Sequence, residues 1–287
     1  MVKKIIGHTY IYLILILMYI PVLFLIVFSF TESEILGEWG NGFSWGLYSR
    51  LFANGELMIA LGNTIILAVT SALVSVVLGT TGAIGAFYSK RRTRKAFDMV
   101  TQIPIANAEI VMALSLTVMF VFLQTYIFRA NLLSFWTLLI GHCVLSLPFV
   151  YISVKPKLEQ MDPSLYEAAI DLGATPHKAL WKVIIPEVIP GILSGFLLSI
   201  TLSLDDFVIT RFTTGSGLLS GDAAIVTLST YVQAKIKKSN VPIELRALTT
   251  LIFLLVLGVV IFVSVRRWYK DKYGKNRTQK RLAKYGK

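Results

Sequence analysis

Three carboxylates stand where a carboxylate is expensive. Glu109 lies in the apolar run that follows Asp98, and Asp205 and Asp206 sit together in "TLSLDDFVITRFTTG". An acid in the hydrocarbon region of a bilayer costs about 2.5–3.5 kcal/mol on insertion scales, so it faces a partner or a wet cavity. Acids so placed suit the passage of a cation. In a single helix running from Asp98, Glu109 falls about 16 Å along, near mid-membrane, while Asp205 and Asp206 come about 22–24 Å beyond Pro190. Adjacent helical positions point about 100° apart. The expectation is therefore that one aspartate faces the path and the other holds Arg211 or a backbone group. The spacing does not say which. Pro104 also frees backbone groups in the same run as Glu109, which is tolerable where protein or water satisfies them.

A second stretch has chemistry of a different kind. "YEAAIDLGATPHKALWKVIIP", residues 166–186, is polar and amphipathic in a chain otherwise built of apolar runs. Ser164 followed by Glu167 reads as a capping box at a helix start. Leu165, Ala168, Ala169 and Leu172 share one helical face. Gly173 is placed to end that helix in a left-handed conformation, Thr175 to cap a second helix, and Pro176 to open it. Pro186 should stop it, for want of an N–H. The product is two short helices around a sharp corner. The paired alanines leave a shallow face suited to another protein's groove. Short surface helices without a partner are the plain alternative, and the residues alone leave both open.

The elements that position these residues are membrane spans. Hydrophobic residues make up 55% of the 287 and charged residues 15%, against about 25% in a soluble domain. Six apolar runs fit helices long enough to cross a hydrocarbon core: 8–30, 60–87, 99–123, 135–153, 189–210 and 246–265. The first follows Lys3 and Lys4, yet it exceeds a signal-peptide core and lacks a small-residue cleavage site, so it reads as an uncleaved span. Of the 28 basic residues, 21 fall in segments that put both termini in the cytoplasm, "SKRRTRK" among them; that bias sets orientation. Trp39 and Trp45 outside, and Trp268 and Tyr269 inside, sit where interfacial anchors belong. Glu32, Glu34, Glu38 and Glu56 populate the first outer loop. Ile225, Leu228, Val232 and Ile236 recur at helical spacing, which suggests an amphipathic helix on the outer face or a partly re-entrant segment. Gly79, Gly82 and Gly85 thin one face of the second span for close helix approach.

Composition also excludes. The net charge of +12 is concentrated behind the last span, in "RRWYKDKYGKNRTQKRLAKYGK"; such a tail is an orientation signal and a contact for anionic lipid, not a nucleic-acid module. Cys143 is alone, so there is no disulfide framework. His8, His142 and His177 show no ligand spacing, and no metal or nucleophile–base arrangement appears. "GTTGAIGAFYSK" has glycines without the Gly-Lys-Ser/Thr ending of a phosphate loop. No cofactor is expected in this chain.

Glu167, Ala168, Ala169, Gly173 and Pro186 match in identity and spacing the EAA loop of ABC importer membrane subunits. Val183 and Ile185 stand where that family has Ile and Leu. "IVMALSL", "SLPFVYI" and "TLSLDDFVITRFTTG" extend the resemblance over nearly the whole chain, to the C-type permease of spermidine/putrescine importers. The resemblance implies an all-α membrane protein with the type I ABC importer fold, six transmembrane helices and cytoplasmic termini. It divides the chain into a first helix and outer loop (1–59), a five-helix core with the coupling loop at about 163–187 (60–265), and a basic tail (266–287). Two copies of an ABC ATPase subunit carrying ATP and Mg, a second homologous permease and an extracellular substrate-binding protein are the implied partners, with lipid around the spans. Glu167 would contact the ATPase, Gly173 and Ala174 would set the corner, and Glu109, Asp205 and Asp206 would line a polyamine path. Another small cationic solute, an iron complex or an ion-coupled carrier remain the alternatives.

Overall fold

The computed structural model describes residues 2–33, 35, 42–129, 133–162, 164–214, 225–238, 242–258, 261 and 265. Glu34, Glu38, Trp39, Trp268, Tyr269 and the basic tail lie outside them. The described residues are helical with turns and contain no strand. They form two bodies, one made of the two chain ends and one of residues 56–239.

The end body holds α1 (Val2–Phe28), α2 (Gly46–Ala53) and the helical residues 244–258. Tyr19 meets Phe253 edge-on at 6.5 Å, Arg246 donates to the Ser33 carbonyl at 2.9 Å, and Ser29 bonds the Tyr48 hydroxyl at 2.8 Å. Trp45 joins Phe30, Phe43 and Tyr48 in an aromatic cluster.

The second body runs α3 (Gly55–Tyr88), α4 (Arg91–Ala106), α5 (Glu109–Phe122, extended by a π-helix over Leu123–Phe128), α6 (Phe135–Gln160), α7 (Ser164–Asp171), α8 (Pro176–Ala179), a π-helix (Leu180–Ile184), α9 (Ile185–Asp205), α10 (Val208–Thr213) and α11 (Leu228–Lys237). Five stretches among the described residues are long and apolar enough to cross a membrane: His8–Phe28, Gly55–Tyr88, Glu109–Phe128, Phe135–Gln160 and Pro176–Asp205. The described part of the sixth predicted run is helical.

α6 is the central helix, because 67% of its apolar window is buried against 28% for the α9 run. Ala83, Ala86, Val150, Val154, Leu158, Ile184 and Val188 form the core that α3, α6 and α9 share. Backbones approach closely there. A Cβ at Gly191 would lie 2.8 Å from the Ser153 carbonyl oxygen, and one at Gly195 3.0 Å from the Val150 Cα. Gly79 serves the same purpose against Val150, whereas a Cβ at Gly82 or Gly85 would meet nothing within 4 Å. Only one of the three predicted glycines therefore belongs to a contact. The pair on α9, spaced four residues apart as small-residue membrane seams are, does the rest.

Two predicted spans differ from the helices found. The run 99–123 breaks, because Asn107 and Ala108 are extended. Pro104 removes one hydrogen bond from the last turn of α4, and a carboxylate is favoured at the start of a new helix. The run 189–210 begins earlier and ends sooner: helix is continuous from Pro176 to Asp205, then interrupted at Asp206. Pro186 does not stop it. The π-turn of Leu180–Ile184 shifts the hydrogen-bond register just ahead of the proline, and such widened turns relieve both its ring clash and its missing donor. Residues 228–237 do form the predicted helix, but Thr230 and Tyr231 are its buried residues and Ile236 is exposed. Its start is held to α3, with the Leu228 N–H donating to Thr64 Oγ1 at 2.7 Å and Asn63 donating to the Val226 carbonyl just ahead of it at 2.9 Å.

Candidate functional site

The coupling segment folds by local rules. α7 starts at Ser164, so Ser164 is its first helical residue and not the cap expected of it; its exposed N–H donates to Asp162 Oδ1 at 3.0 Å. Hydrogen bonds from the Ser164 N–H and then its hydroxyl hold that carboxyl below the usual carboxylate range. At the other end Gly173 has φ +82°. The Ala174 N–H reaches the Ala169 carbonyl at 3.0 Å and the Gly173 N–H reaches the Ile170 carbonyl at 2.8 Å. This pair of crossing bonds is the Schellman C-cap, which needs a left-handed residue and so favours glycine. Thr175 accepts from the Lys178 N–H at 3.4 Å, with Pro176 opening α8. The corner is the one the sequence predicts.

What the elbow presents is a face with nothing on it. No residue of α7 is buried. Glu167 and Ala168 are exposed, Ala169 is half-buried, and Leu172 at the tip is 89% exposed. Tyr166 turns inward instead, 5.6 Å from the Tyr88 ring. Behind it a polar network ties α4 to α6. Asp98 accepts from Lys155 at 2.6 Å and from the Tyr151 hydroxyl at 2.8 Å, and Arg94 pairs with Glu159.

The three acids meet at the other end of α9. Glu109 is the first residue of α5, not the middle of a continuous helix, and it is exposed. Asp205 is the last residue of α9 and is also exposed. The Glu109 carboxyl is hydrogen-bonded to that of Asp206 and lies within electrostatic reach of that of Asp205. Asp206 behaves differently. It is extended (φ −65°, ψ 128°) and only 4% exposed. Its carboxylate accepts from the Ile209 N–H at 3.1 Å and from the Thr210 N–H and hydroxyl at 2.8 Å each. It therefore caps α10, holding backbone as one of the two aspartates was expected to do. The helix break removes the 100° relation assumed for an unbroken span.

α10 packs on α5 and α6, pinned by Thr117 to the Phe212 carbonyl (2.9 Å) and Thr137 to the Thr213 carbonyl (3.0 Å). Ser229 of α11 donates to the Asp206 carbonyl at 2.9 Å. Sequence reasoning missed His142. Fully buried on α6, it bonds Ser203 at 2.7 Å through Nδ1 and Thr210 at 2.9 Å through Nε2, with Asp206 at 3.4 Å. A histidine in an apolar span was the available signal, since a buried imidazole needs partners for both nitrogens. The described residues hold no group of three His, Cys, Asp or Glu that could bind a metal.

Comparison with known proteins gives this arrangement a family. The chain is 34% identical over 255 residues to the spermidine/putrescine transport system permease protein PotC of Escherichia coli (strain K12), covering 89% of this chain and 90% of that one. It is 32% identical over 253 residues to the putrescine transport system permease protein PotI of the same strain, covering 88% and 85%. In fold it is similar to a chain of a bacterial ABC transporter involved in import of the acidic polysaccharide alginate, with a TM-score of 0.67 at 17% identity over 93% of this chain and 96% of that one. Residues 75–271 match the family described as the binding-protein-dependent transport system inner membrane component. With the EAA-type elbow at one end of α9 and the match covering most of the sequence, the chain belongs to that family of ABC importer permeases.

Proposed function

We propose that this permease forms, with a second homologous permease, the membrane path of an ATP-driven polyamine importer, and that Glu109 and Asp205 are its cation-facing acids. One observation carries the reading. A single helical rod, Pro176–Asp205, joins the exposed elbow to the exposed carboxyl pair. A displacement imposed on α7 is thereby delivered to the level of the acids about 45 Å away. Relatives named for spermidine and putrescine transport support the cargo. An open apolar groove on α5, lined by Leu114, Ser115, Val118, Met119 and Phe122, supports a second membrane subunit alongside.

ATP and Mg act on a separate pair of ATPase subunits that grip α7, with Glu167 as the charged contact and Ala168 and Ala169 as the shallow face. A binding protein delivers the cargo from outside, and both termini lie in the cytoplasm. Nucleotide changes which way the path opens only if it stabilises one orientation more than the other, since equal affinity shifts nothing. The rod makes that difference mechanical.

The test is uptake of labelled spermidine and putrescine by the assembled transporter in vesicles supplied with ATP. Glu109→Gln and Asp205→Asn should each lower uptake about tenfold or more, the scale of one lost charge contact in a path that must replace water, while ATPase association is retained. Undiminished uptake in both variants sinks the assignment of the acids. Uptake that continues without nucleotide hydrolysis sinks the whole reading, and transport of an iron complex in preference to either polyamine replaces the cargo.

A further inference from the structure

The buried contacts around His142 have a direction that can be worked out hydrogen by hydrogen. The single hydroxyl hydrogen of Thr210 is committed to the Asp206 carboxylate at 2.8 Å. The Thr210 oxygen can then only accept from His142, so Nε2 carries a hydrogen. On the other side the Ser71 hydroxyl is shared between the Ala68 carbonyl and Ser203, at 3.2 Å each. A charge is costly where water is excluded, and in the uncharged ring with Nε2 protonated, Nδ1 is the acceptor for the Ser203 hydrogen at 2.7 Å. The chain reads Ser71 to Ser203 to His142 to Thr210 to Asp206, and it crosses α3, α9, α6 and α10. Every member is buried, with none more than 4% exposed.

Such a chain needs, at its centre, a side chain that accepts at one end and donates at the other. An aliphatic group of equal bulk would fill the space but take from Ser203 the acceptor at Nδ1 and from the Thr210 oxygen the donor at Nε2. Asp206 is the residue whose extended backbone ends α9, and Asp205 is the residue immediately before it. Where the chain turns at 206 fixes where the Asp205 carboxyl emerges.

We propose that His142 is a positioning residue for transport: it touches no cargo, but its Nε2–H tautomer locks the α9–α10 turn so that the exposed Asp205 carboxyl is held beside Glu109. This rests on the reading of Asp205 and Glu109 as the acids of the path. A role in stability alone would be served by bulk. A positioning role requires the donor at Nε2.

The experiment compares His142→Leu, His142→Gln and Thr210→Val in the full chain assembled with its ATPase and binding protein. Three quantities are read: membrane abundance, labelled spermidine uptake, and the rate at which a cationic methanethiosulfonate reagent modifies a cysteine placed by Asp205→Cys in each background. Cys143, the lone native cysteine, is buried and supplies the background rate. At equal abundance, His142→Leu should lower uptake about tenfold and change the labelling rate at 205 by a similar factor, the scale of one lost buried hydrogen-bond partner. His142→Gln, whose amide can still donate towards Thr210, should return uptake to within about threefold of the parent. Thr210→Val should fall between them. Equal uptake in the Leu and Gln variants, or one labelling rate in all backgrounds, overturns the proposal. If His142→Leu does not accumulate, the isosteric Thr210→Val decides alone: parental uptake with an unchanged labelling rate at 205 overturns it. Parental uptake in Asp205→Asn would remove the path reading instead, while leaving the labelling result as the measure of what His142 positions.

Discussion

α9 begins beyond an elbow shaped almost entirely by its own backbone and ends in a knot made by side chains from across the chain. At the elbow, the Gly173 cap, the Thr175 cap and the Pro176 start involve partners within five residues of one another. At the knot, His142 meets Ser203 and Thr210, 61 and 68 residues away in sequence. Exposure is inverted as well: no residue of α7 is fully buried, while the residues that hold the knot are sealed. A local, exposed device can be gripped and moved by another subunit without unfolding its own chain. A distributed, buried one keeps the shape of the turn at the helix's end constant as the helix moves. The rod between them needs close packing, or displacement at one end would be lost before it reached the other.

The largest effect is therefore expected at that packing. Gly191→Val places side-chain carbon against the Ser153 carbonyl and the Val154 Cα, atoms that cannot move aside. Overpacking of this kind costs about 3 kcal/mol or more. The protein should fail to accumulate in membranes, seen as loss of the full-length band, whereas Gly82→Ala, in open space, should accumulate normally. Equal abundance of the two would mean that α6 and α9 are not held as described.

Next comes the contrast between neighbours. Asp206→Ala strips acceptors from two buried N–H groups and the Thr210 hydroxyl, at a cost of about 2–4 kcal/mol. The detergent-purified protein should melt several degrees lower. Asp205→Ala, exposed, should leave the melting temperature within about a degree of the parent, since exposed substitutions seldom exceed about 0.5 kcal/mol. A reversal of that order would break the assignment of Asp206 to structure.

Gly173→Val tests the elbow. A β-branched residue at φ +82° is strained by about 1–3 kcal/mol, but no residue of α7 is fully buried, and its inward contact, Tyr166 on Tyr88, lies about two turns before the glycine. Abundance should hold while uptake falls about tenfold and ATP hydrolysis no longer responds to the loaded binding protein. Intact coupling in this variant would locate the moving contact elsewhere.

The same division explains what could be read in advance. The elbow was legible because glycine, threonine and proline act on their own backbone, and each leaves its mark at a fixed offset. Pro186 misled for an instructive reason: the rule that proline ends a helix assumes α register on both sides, and a π-turn changes the register. Glu109 and Asp205 were legible as acids in apolar runs, but their convergence was not, because it depends on breaks at 107–108 and at 206 in runs apolar enough over their length to read as single spans. His142 carried no spacing signal at all. Its partners lie on α9 and α10, so only the tertiary fold brings them together.

The smallest effect concerns the network behind the elbow, and it has a pH signature. Burial alone would raise the Asp98 carboxyl, but hydrogen bonds from Lys155 and Tyr151, with the charges of Lys155 and Arg94, outweigh it and hold the group below its ordinary value. A carboxylate whose folded value is depressed contributes stability that is present above its unfolded value, near 3.9, and is lost as pH falls through the folded one. The contribution is about 1 kcal/mol or less, as for other partly exposed pairs. Between pH 7 and pH 5 the melting temperatures of the parent and Asp98→Asn should differ by a constant small margin, and below about pH 4 the two should converge. Convergence matters more than size. If the margin persists into acid, Asp98 acts through its shape and its bond to Tyr151 rather than its charge, and the tie between α4 and α6 is a hydrogen-bonded contact, not an ion pair.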